Sequence, residues 1–204
     1  MGRIKHKHPM KYVDWKIVRF LEKRALDIDP AIHFNPQKYC YDIDKKLQTY
    51  KRSRHAKFMM NLHVVFVTKG RCKVLFKEVR DLIEEKIPLI AGKFGWEVYA
   101  CECMPEHIHM FVSIDNITSL SKCVSRIRYE LEEWVVRLFP ILRKALEKQL
   151  FQRSYFGESI GNSSGLTVFY YLKKQWKNYT CYAEKYKIAK GYCVDKQKKL
   201  DLFF

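Results

Sequence analysis

The chain has 204 residues, of which 48% are hydrophobic, enough for one packed domain with appendages and too few for two full domains. Lys and Arg total 39 against 22 Asp and Glu, so the formal net charge is +17. This excess favours a polyanionic partner, with nucleic acid ahead of a membrane surface. No apolar run approaches the roughly 18 residues of a membrane span, and the N-terminus lacks the apolar core of a signal peptide. We therefore expect a soluble protein without a membrane partner.

Seven cysteines are scattered along the chain, and only Cys101 and Cys103 stand close together. An odd number of cysteines without a secretion signal predicts reduced thiols and a cytoplasmic location. The proximity of this pair to His107 and His109 raises the alternative of a zinc site. That alternative is disfavoured, because the spacing is not typical of structural zinc and all four residues would lie on strands.

The first 57 residues are predicted to be a basic N-terminal extension, with 15 Lys or Arg against six Asp or Glu. Apolar spacing predicts one short amphipathic helix over 12–26, and prolines interrupt the segment elsewhere. We expect much of the extension to be a basic, partly disordered arm. The domain itself is predicted over residues 58–184, and residues 185–204 form a Lys-rich C-terminal tail.

Apolar periodicity predicts the elements of the domain in the order β, α, β, β, α, β, α. Strands are predicted over 62–68, 96–103, 107–114 and 151–160, and helices over 79–94, 119–138 and 167–183. We also expect a short continuation of the first strand over 71–76, a kink at Pro88, and a helix cap at Ser119 or Ser121. This order fits an α+β fold with an antiparallel sheet and helices on one face, the ferredoxin-like or split βαβ arrangement. The last helix is then a C-terminal addition.

The clearest local signal for chemistry is His107-Ile108-His109 in the third predicted strand. Alternate side chains of a strand share a face, so the two imidazoles point the same way, about 7 Å apart along the strand. Such a pair can converge on one divalent cation, whereas Ile108 faces the core. Glu106 falls on the opposite face, could join the site only if the strand begins after it, and is not named as a ligand. Without further context, two hydrogen-bonded histidines of a buried strand explain the pattern better than a metal site does.

Residues 102–112 (ECMPEHIHMFV) resemble the HUH motif, His-hydrophobe-His, of the single-tyrosine HUH transposases, which include TnpA-like and REP-associated tyrosine transposases. Residues 63–69 (HVVFVTK) are similar to the first strand of that family, and residues 151–161 to its penultimate element. The resemblance spans residues 54–179 in the family's order. Gly70 and Cys72 depart from it, because bulkier and basic residues are expected there.

The resemblance implies a catalytic tyrosine on the last helix, followed four positions later by a polar residue that is usually Gln. Tyr171 with Gln175 satisfies this pattern, and residues at this spacing lie on one helical face. Tyr170 does not satisfy it, because Lys174 stands four positions later. Apart from the resemblance, Tyr171 also fits the apolar stripe of an ordinary amphipathic helix.

The implied activity is that of a transposase, an HUH endonuclease and strand transferase that cleaves and rejoins single-stranded DNA at insertion-sequence ends. The implied intermediate is a 5′-phosphotyrosine with a free 3′-OH, and no ATP is needed. His107, His109 and Gln175 would hold Mg²⁺ or Mn²⁺, with imidazole leaning toward Mn²⁺, to polarise the phosphate for attack by Tyr171. Implied partners are single-stranded DNA with a hairpin at the element ends and a second copy of the chain, although some relatives act as monomers. The protein would be cytoplasmic, and nucleoid-associated when bound to DNA.

DNA binding requires basic side chains beyond the metal ligands, because phosphate contacts dominate affinity. The candidates are Arg52, Arg54, Lys57, Arg126, Arg128, Lys173, Lys174 and Lys177. Each of them individually also fits a solvated charged surface.

Two alternatives stay open beside the transposase. A non-catalytic nucleic-acid-binding module on a ferredoxin-like sheet would also be basic and aromatic. It would lack the Gly and aromatic signature of an RRM strand and gives His107, His109 and Tyr171 no reason to coexist. A rolling-circle initiator or relaxase shares the HUH chemistry, but such proteins commonly have longer chains and a differently flanked metal motif.

Overall fold

The computed structural model describes residues 13–28, 47–146, 149–161, 167–168 and 170–178. The elements are helix α1 (Trp15–Ala25), strands β1 (Lys51–Arg52), β2 (Lys57–Phe58) and β3 (Asn61–Thr68), helix α2 (Lys77–Gly92), strands β4 (Glu97–Cys103) and β5 (His107–Ser113), helices α3 (Leu120–Leu138) and α4 (Pro140–Leu146), and strand β6 (Phe151–Ser159). Residues 167–168 and 170–178 are helical and are called α5. Within these ranges, no helix combines the length and apolar character needed to cross a bilayer.

Strands β3 to β6 form a four-stranded antiparallel sheet in the order β4-β5-β3-β6. Strands β3 and β4 run in the same direction, are connected by α2, and have β5 inserted between them. This is the split βαβ arrangement, and it confirms the predicted α+β class. Strands β1 and β2 pair separately as a small antiparallel hairpin.

The main hydrophobic core lies between one face of the sheet and helices α2 and α3. The sheet contributes alternate residues, as the period of a strand requires: Leu62, Val64, Phe66, Cys101, Cys103, Ile108, Met110 and Val112. The helices contribute stripes at helical spacing: Val79, Ile83, Ile87, Ile90, Val124, Ile127, Leu131 and Val135. The opposite sheet face therefore carries the other set of side chains, including the histidines.

Helix α1 packs against this core, and the predicted helix over 12–26 is confirmed. The carboxylate of Asp14 caps it by accepting the backbone N–H groups of Lys16 and Ile17 at 3.0 and 3.2 Å. Val18, Leu21 and Ala25 are buried in the main core. The predicted boundary after Lys57 falls inside β2 and stays a prediction. Residues 1–12 and 29–46 of the predicted arm and the tail over 185–204 lie outside the described residues.

The predicted strand over 71–76 is wrong, because the chain turns at its start. Lys69–Arg71 form a 3₁₀ turn in which Gly70 and Arg71 have positive φ angles of 64° and 54°. The hydroxyl of Thr68 donates to the carbonyl of Cys72 at 2.7 Å and secures the turn. A left-handed backbone cannot continue a strand, and glycine adopts it at low cost, which explains Gly70.

The helices agree with their predicted positions, with one addition. Helix α2 continues through Pro88, and α3 begins after Ser119, whose hydroxyl accepts the N–H of Lys122 at 3.2 Å. Helix α4 is not among the predicted elements, because it begins at Pro140 and a proline more often marks the end of a preceding helix. Proline also suits the first position of a helix, where its missing N–H has no role.

Candidate active site

The candidate site lies on the sheet face opposite α2 and α3. In the sheet register, His63 on β3 stands opposite Glu158 on β6, and His109 on β5 stands opposite Glu102 on β4. Directly paired residues share a face, and His107 and His109 alternate along one strand. The register therefore gathers these side chains on one surface.

Three histidines form a continuous hydrogen-bonded row that begins and ends at a carboxylate. His63 Nδ1 lies 2.9 Å from Glu158 Oε1, and His63 Nε2 lies 3.0 Å from His109 Nδ1. The two Nε2 atoms of His109 and His107 face each other at 3.1 Å. His107 Nδ1 lies 3.2 Å from Glu106 Oε1, which ends the row.

His109 occupies the middle of the row and is neutral at neutral pH. Burial, together with the smaller effects of the neighbouring His107 and His63, lowers its pKa to about 3. Only 4% of the residue is exposed. A neutral imidazole is the form that binds a metal ion, so burial prepares His109 as a ligand.

Tyr171 on α5 lies over the histidines. Its ring centroid is 5.1 Å from that of His63 and 5.5 Å from that of His109, in both cases edge-on. Burial raises the pKa of the phenol, the negative charge of Glu158 raises it further, and a hydrogen bond with Gln175 acts in the opposite direction. The phenol is therefore protonated at neutral pH, and 38% exposure leaves the residue accessible. The neighbouring Tyr170 is 62% exposed.

Contacts along its length hold α5 on the sheet. Val168 and Leu172 pack with Tyr99, Phe111 and Leu47 in a second apolar cluster. Trp176 packs in a third cluster, with Leu26, Ile28 and Met104. The indole N–H of Trp176 also donates to Glu102 Oε2 at 2.8 Å. Tyr171 is thus positioned over the histidines of its own chain.

The donor set fits an ion with open coordination positions. In the described part of the chain, no three His, Cys, Asp or Glu side chains form a metal-binding group, so the candidates are His107, His109 and the amide of Gln175. The 3.1 Å between the two Nε2 atoms is close to the roughly 3.0 Å edge of an octahedral ion with bonds of about 2.1 Å. Cys101 and Cys103 lie in the main core on the other face, so the zinc alternative finds no common site.

The predicted DNA-binding residues fall into two groups. Arg52, Arg54 and Lys57 are exposed on the β1–β2 hairpin, and Lys173, Lys174 and Lys177 are exposed on α5. Arg126 and Arg128 lie on α3, on the far side of the sheet from the histidines. The Arg126 guanidinium lies 4.7 Å from the centre of the Phe94 ring, and Arg128 donates to the carbonyl of Gln152. The structure therefore does not bring Arg126 and Arg128 to the candidate site.

Sequence reasoning did not single out His63, Glu158 or Glu102. His63 and Glu158 stand in predicted strands, so each could be assigned to a strand face by its period. Their convergence on His109 depends on contacts between residues 46 and 95 positions apart in the chain. A local pattern carries no information on such a register.

Comparisons with known proteins agree on one family of transposases. The model of the IS200-like transposases matches residues 56–175. The ISDra2 transposase TnpA of Deinococcus radiodurans is 24% identical over 126 residues, which cover 61% of this chain and 90% of that protein.

Two solved structures are also similar. The crystal structure of a candidate transposase from Deinococcus radiodurans R1 aligns with a TM-score of 0.51 at 23% identity, over 61% of this chain and 97% of that one. A REP-associated tyrosine transposase bound to a REP hairpin aligns with a TM-score of 0.40 at 13% identity, over 70% of this chain and 76% of that one. The first likeness supports the fold, and the family model covers more than half of the sequence. The chain belongs to the IS200-like transposase family.

Proposed function

We propose that this transposase cleaves and rejoins single-stranded DNA at insertion-sequence ends, with Tyr171 as the nucleophile. The observation that carries the proposal is the position of the Tyr171 ring against His63 and His109. Gln175 forms a hydrogen bond with the phenol. A nucleophile beside imidazoles that can hold a metal ion suits phosphodiester transfer. A binding module would have no use for it.

His107, His109 and Gln175 are the residues that would hold a divalent cation, Mg²⁺ or Mn²⁺. When bound, the ion supplies Lewis-acid polarisation of the scissile phosphate. Two imidazoles and one amide are neutral donors, so they leave the charge of the ion available to the phosphate. Few protein donors also leave coordination positions for DNA oxygens.

In the cleavage step, Tyr171 Oη forms a bond to phosphorus while the bond from phosphorus to the 3′ oxygen breaks. The phenolic proton passes to solvent, the 3′ oxygen takes up a proton, and the 5′ side stays attached to the tyrosine. Because its pKa is raised, Tyr171 carries its proton at neutral pH. The phenol would lose that proton as its oxygen bonds to phosphorus, beside the positive charge that a bound divalent cation would supply. Attack by a 3′-OH on the phosphotyrosine reverses the step and rejoins DNA without ATP.

The exposed basic residues on the hairpin and on α5 are the proposed phosphate contacts. Lys173, Lys174 and Lys177 share a helix with Tyr171, so a strand held by them would run past the nucleophile. Arg52, Arg54 and Lys57 offer a second basic surface on the hairpin. The exposed ring of Phe156, on the histidine face of the edge strand β6, is available for stacking on an unpaired base.

The test is covalent capture of DNA. Purified protein is incubated with labelled single strands from the flanks of its own gene and Mg²⁺ or Mn²⁺, then resolved by denaturing electrophoresis. We expect a metal-dependent, protease-sensitive adduct with the parent protein and none with Tyr171→Phe, which still binds DNA in a gel shift. Tyr170→Phe is the matched control and keeps the adduct. An adduct with Tyr171→Phe but not with Tyr170→Phe would transfer the role to Tyr170.

The metal ligands are tested in the same assay. His107→Ala and His109→Ala are expected to abolish metal-dependent cleavage while the far-ultraviolet circular dichroism is unchanged, because each removes one of three donors. Parental cleavage by both variants with either ion would show that the proposed ligand set is wrong.

A further inference from the structure

We propose that His63 and Glu158 are positioning residues for His109: they fix the tautomer of His109 so that its Nε2 presents a lone pair to the metal ion. The inference rests on the proposed function, since it concerns the ion that His107 and His109 would hold. Neither residue belongs to the His-hydrophobe-His motif.

Glu158 determines which ring nitrogens of His63 and His109 carry protons, because it ends the row on the His63 side. An ionised carboxylate only accepts hydrogen bonds, so His63 Nδ1 donates across the 2.9 Å to Glu158 Oε1. Neutral His63 then has its lone pair on Nε2, and the 3.0 Å bond must be donated by His109 Nδ1. Consequently neutral His109 carries its lone pair on Nε2, the atom that faces His107.

Glu106 acts in the same way at the other end. His107 Nδ1 donates across 3.2 Å to Glu106 Oε1, which leaves the lone pair of neutral His107 on Nε2. Two lone pairs therefore face each other across 3.1 Å. Their repulsion is relieved by a shared cation, so the proton order of the row favours metal binding at this one place.

Packing holds the hydrogen-bonded row of histidines in place. The His63 ring is stacked on Phe111 at 4.5 Å and lies nearly parallel to the His109 ring, with an interplanar angle of 10°. His63 and His109 are both buried. Without His63, the Nδ1–H of His109 would lose its acceptor in a buried place, and the ring would be free to change tautomer. Histidine ligands generally need such an acceptor behind them.

The first test measures Mn²⁺ binding to the full chain by electron paramagnetic resonance of the free ion. His63→Leu cannot accept a hydrogen bond and is expected to weaken Mn²⁺ binding by about 10–100-fold. His63→Gln places a carbonyl oxygen near the position of the imidazole Nε2 and is expected to recover most of the affinity. Rescue by glutamine separates positioning from simple packing.

Glu158→Ala provides a variant that does not endanger the fold, because the side chain is 54% exposed on the edge strand β6. It is expected to weaken Mn²⁺ binding in the same direction as His63→Leu. Glu85→Ala is the matched control, since Glu85 is an exposed carboxylate on α2 that forms an ion pair with the Lys86 ammonium. We expect parental affinity for that control.

The second test reads the tautomers directly in metal-free protein labelled with ¹⁵N-histidine. Long-range ¹H–¹⁵N spectra are expected to show the Nδ1–H tautomer for His63 and His109, and loss of this state for His109 in His63→Leu. Either of two results would overturn the proposal that His63 and Glu158 position His109. One is an Nε2–H tautomer of His109 in the parent, and the other is parental Mn²⁺ affinity in both His63→Leu and Glu158→Ala. Failure of the proposed function is distinct: the parent would form no Tyr171 adduct, while tautomers and Mn²⁺ affinity could still be measured.

Discussion

Burial sets the protonation states of the two residues at the centre of the site, in ways that suit their proposed roles. It lowers the pKa of His109 to about 3, so the imidazole keeps a lone pair for a metal ion. It raises the pKa of Tyr171, so the phenol is protonated at neutral pH. A single physical cause therefore favours the neutral form of both an acid and a base.

Asp115 allows a test of charge and stability away from the site. Burial raises its pKa, but hydrogen bonds from Trp96, from the Thr118 hydroxyl and from the N–H groups of Ile117 and Thr118 lower it to about 2. The folded pKa lies below the ordinary value of 3.8, so the carboxylate stabilises the fold above pH 3.8, and this contribution is lost as the pH falls toward 2.

We expect Asp115→Asn to lower the free energy of unfolding by about 1 kcal/mol at pH 7, a figure reduced from the full shift because the side chain is partly exposed to solvent. The loss should be much smaller at pH 2, where about half of the parent carboxyls are already protonated. Urea unfolding of both proteins at the two pH values measures it. Equal losses at both values would mean that hydrogen-bond geometry, rather than charge, is responsible.

At the scale of elements, the site depends on how α5 docks. The helix carries Tyr171 and packs on the sheet, but three of its anchors lie far away in sequence: Leu47, and Leu26 with Ile28 after α1. These anchors precede residue 56, where the match to the family model begins. In this protein the N-terminal residues thus help to hold the tyrosine helix against the sheet.

Trp176→Phe tests that docking. The variant keeps an aromatic ring but loses the N–H that donates to the buried carboxylate of Glu102, a bond worth about 1.5–3 kcal/mol for a charged acceptor. We expect faster amide exchange over residues 170–178 and slower adduct formation. The unfolding midpoint of the domain should change little, because α5 can detach locally.

The matched control is Trp134→Phe on α3, where the indole lies beneath the charges of Lys86 and Arg137. This variant should leave exchange in α5 unchanged. If Trp176→Phe exchanges at the parental rate, the bond to Glu102 does not hold the helix.

At the scale of the whole molecule, one chain supplies every residue of the candidate site. Tyr171 packs over His63 and His109 of its own chain. The predicted homodimer stays a prediction, and light scattering after size-exclusion chromatography measures it. The two questions are separate, because a dimer can contain two independent sites.

Mixing inactive variants tests whether the site is built from one chain. Tyr171→Phe retains the histidines and His109→Ala retains the tyrosine, so the two intact parts never meet in one chain. We expect the mixture to form no DNA adduct after the chains have been unfolded and refolded together. Recovered adduct would instead show that the tyrosine helix of one subunit serves the histidines of another. A mixture of parent and either variant controls for refolding.

Local patterns in the sequence were sufficient for the core elements and for the central motif. Strands β3 to β6 and helices α2 and α3 agree with their predicted ranges, because side chains repeat every two residues in strands and every 3.6 in helices. The shared face of His107 and His109 follows from the same geometry. Periodicity did not predict three features: the turn at Gly70, the β1–β2 hairpin and the start of α4 at Pro140. Each depends on the backbone conformation of a few residues, which is too short a stretch for a periodic pattern.

The tertiary structure alone decided what surrounds the motif. It joined His63 and Glu158 to His109, paired Trp176 with Glu102, and set Arg126 and Arg128 on the far side of the sheet. These relations depend on strand register and helix docking, which result from the packing of side chains tens of residues apart. Composition and local period determine which elements form and which faces they bury, whereas the contacts between elements determine which polar groups meet.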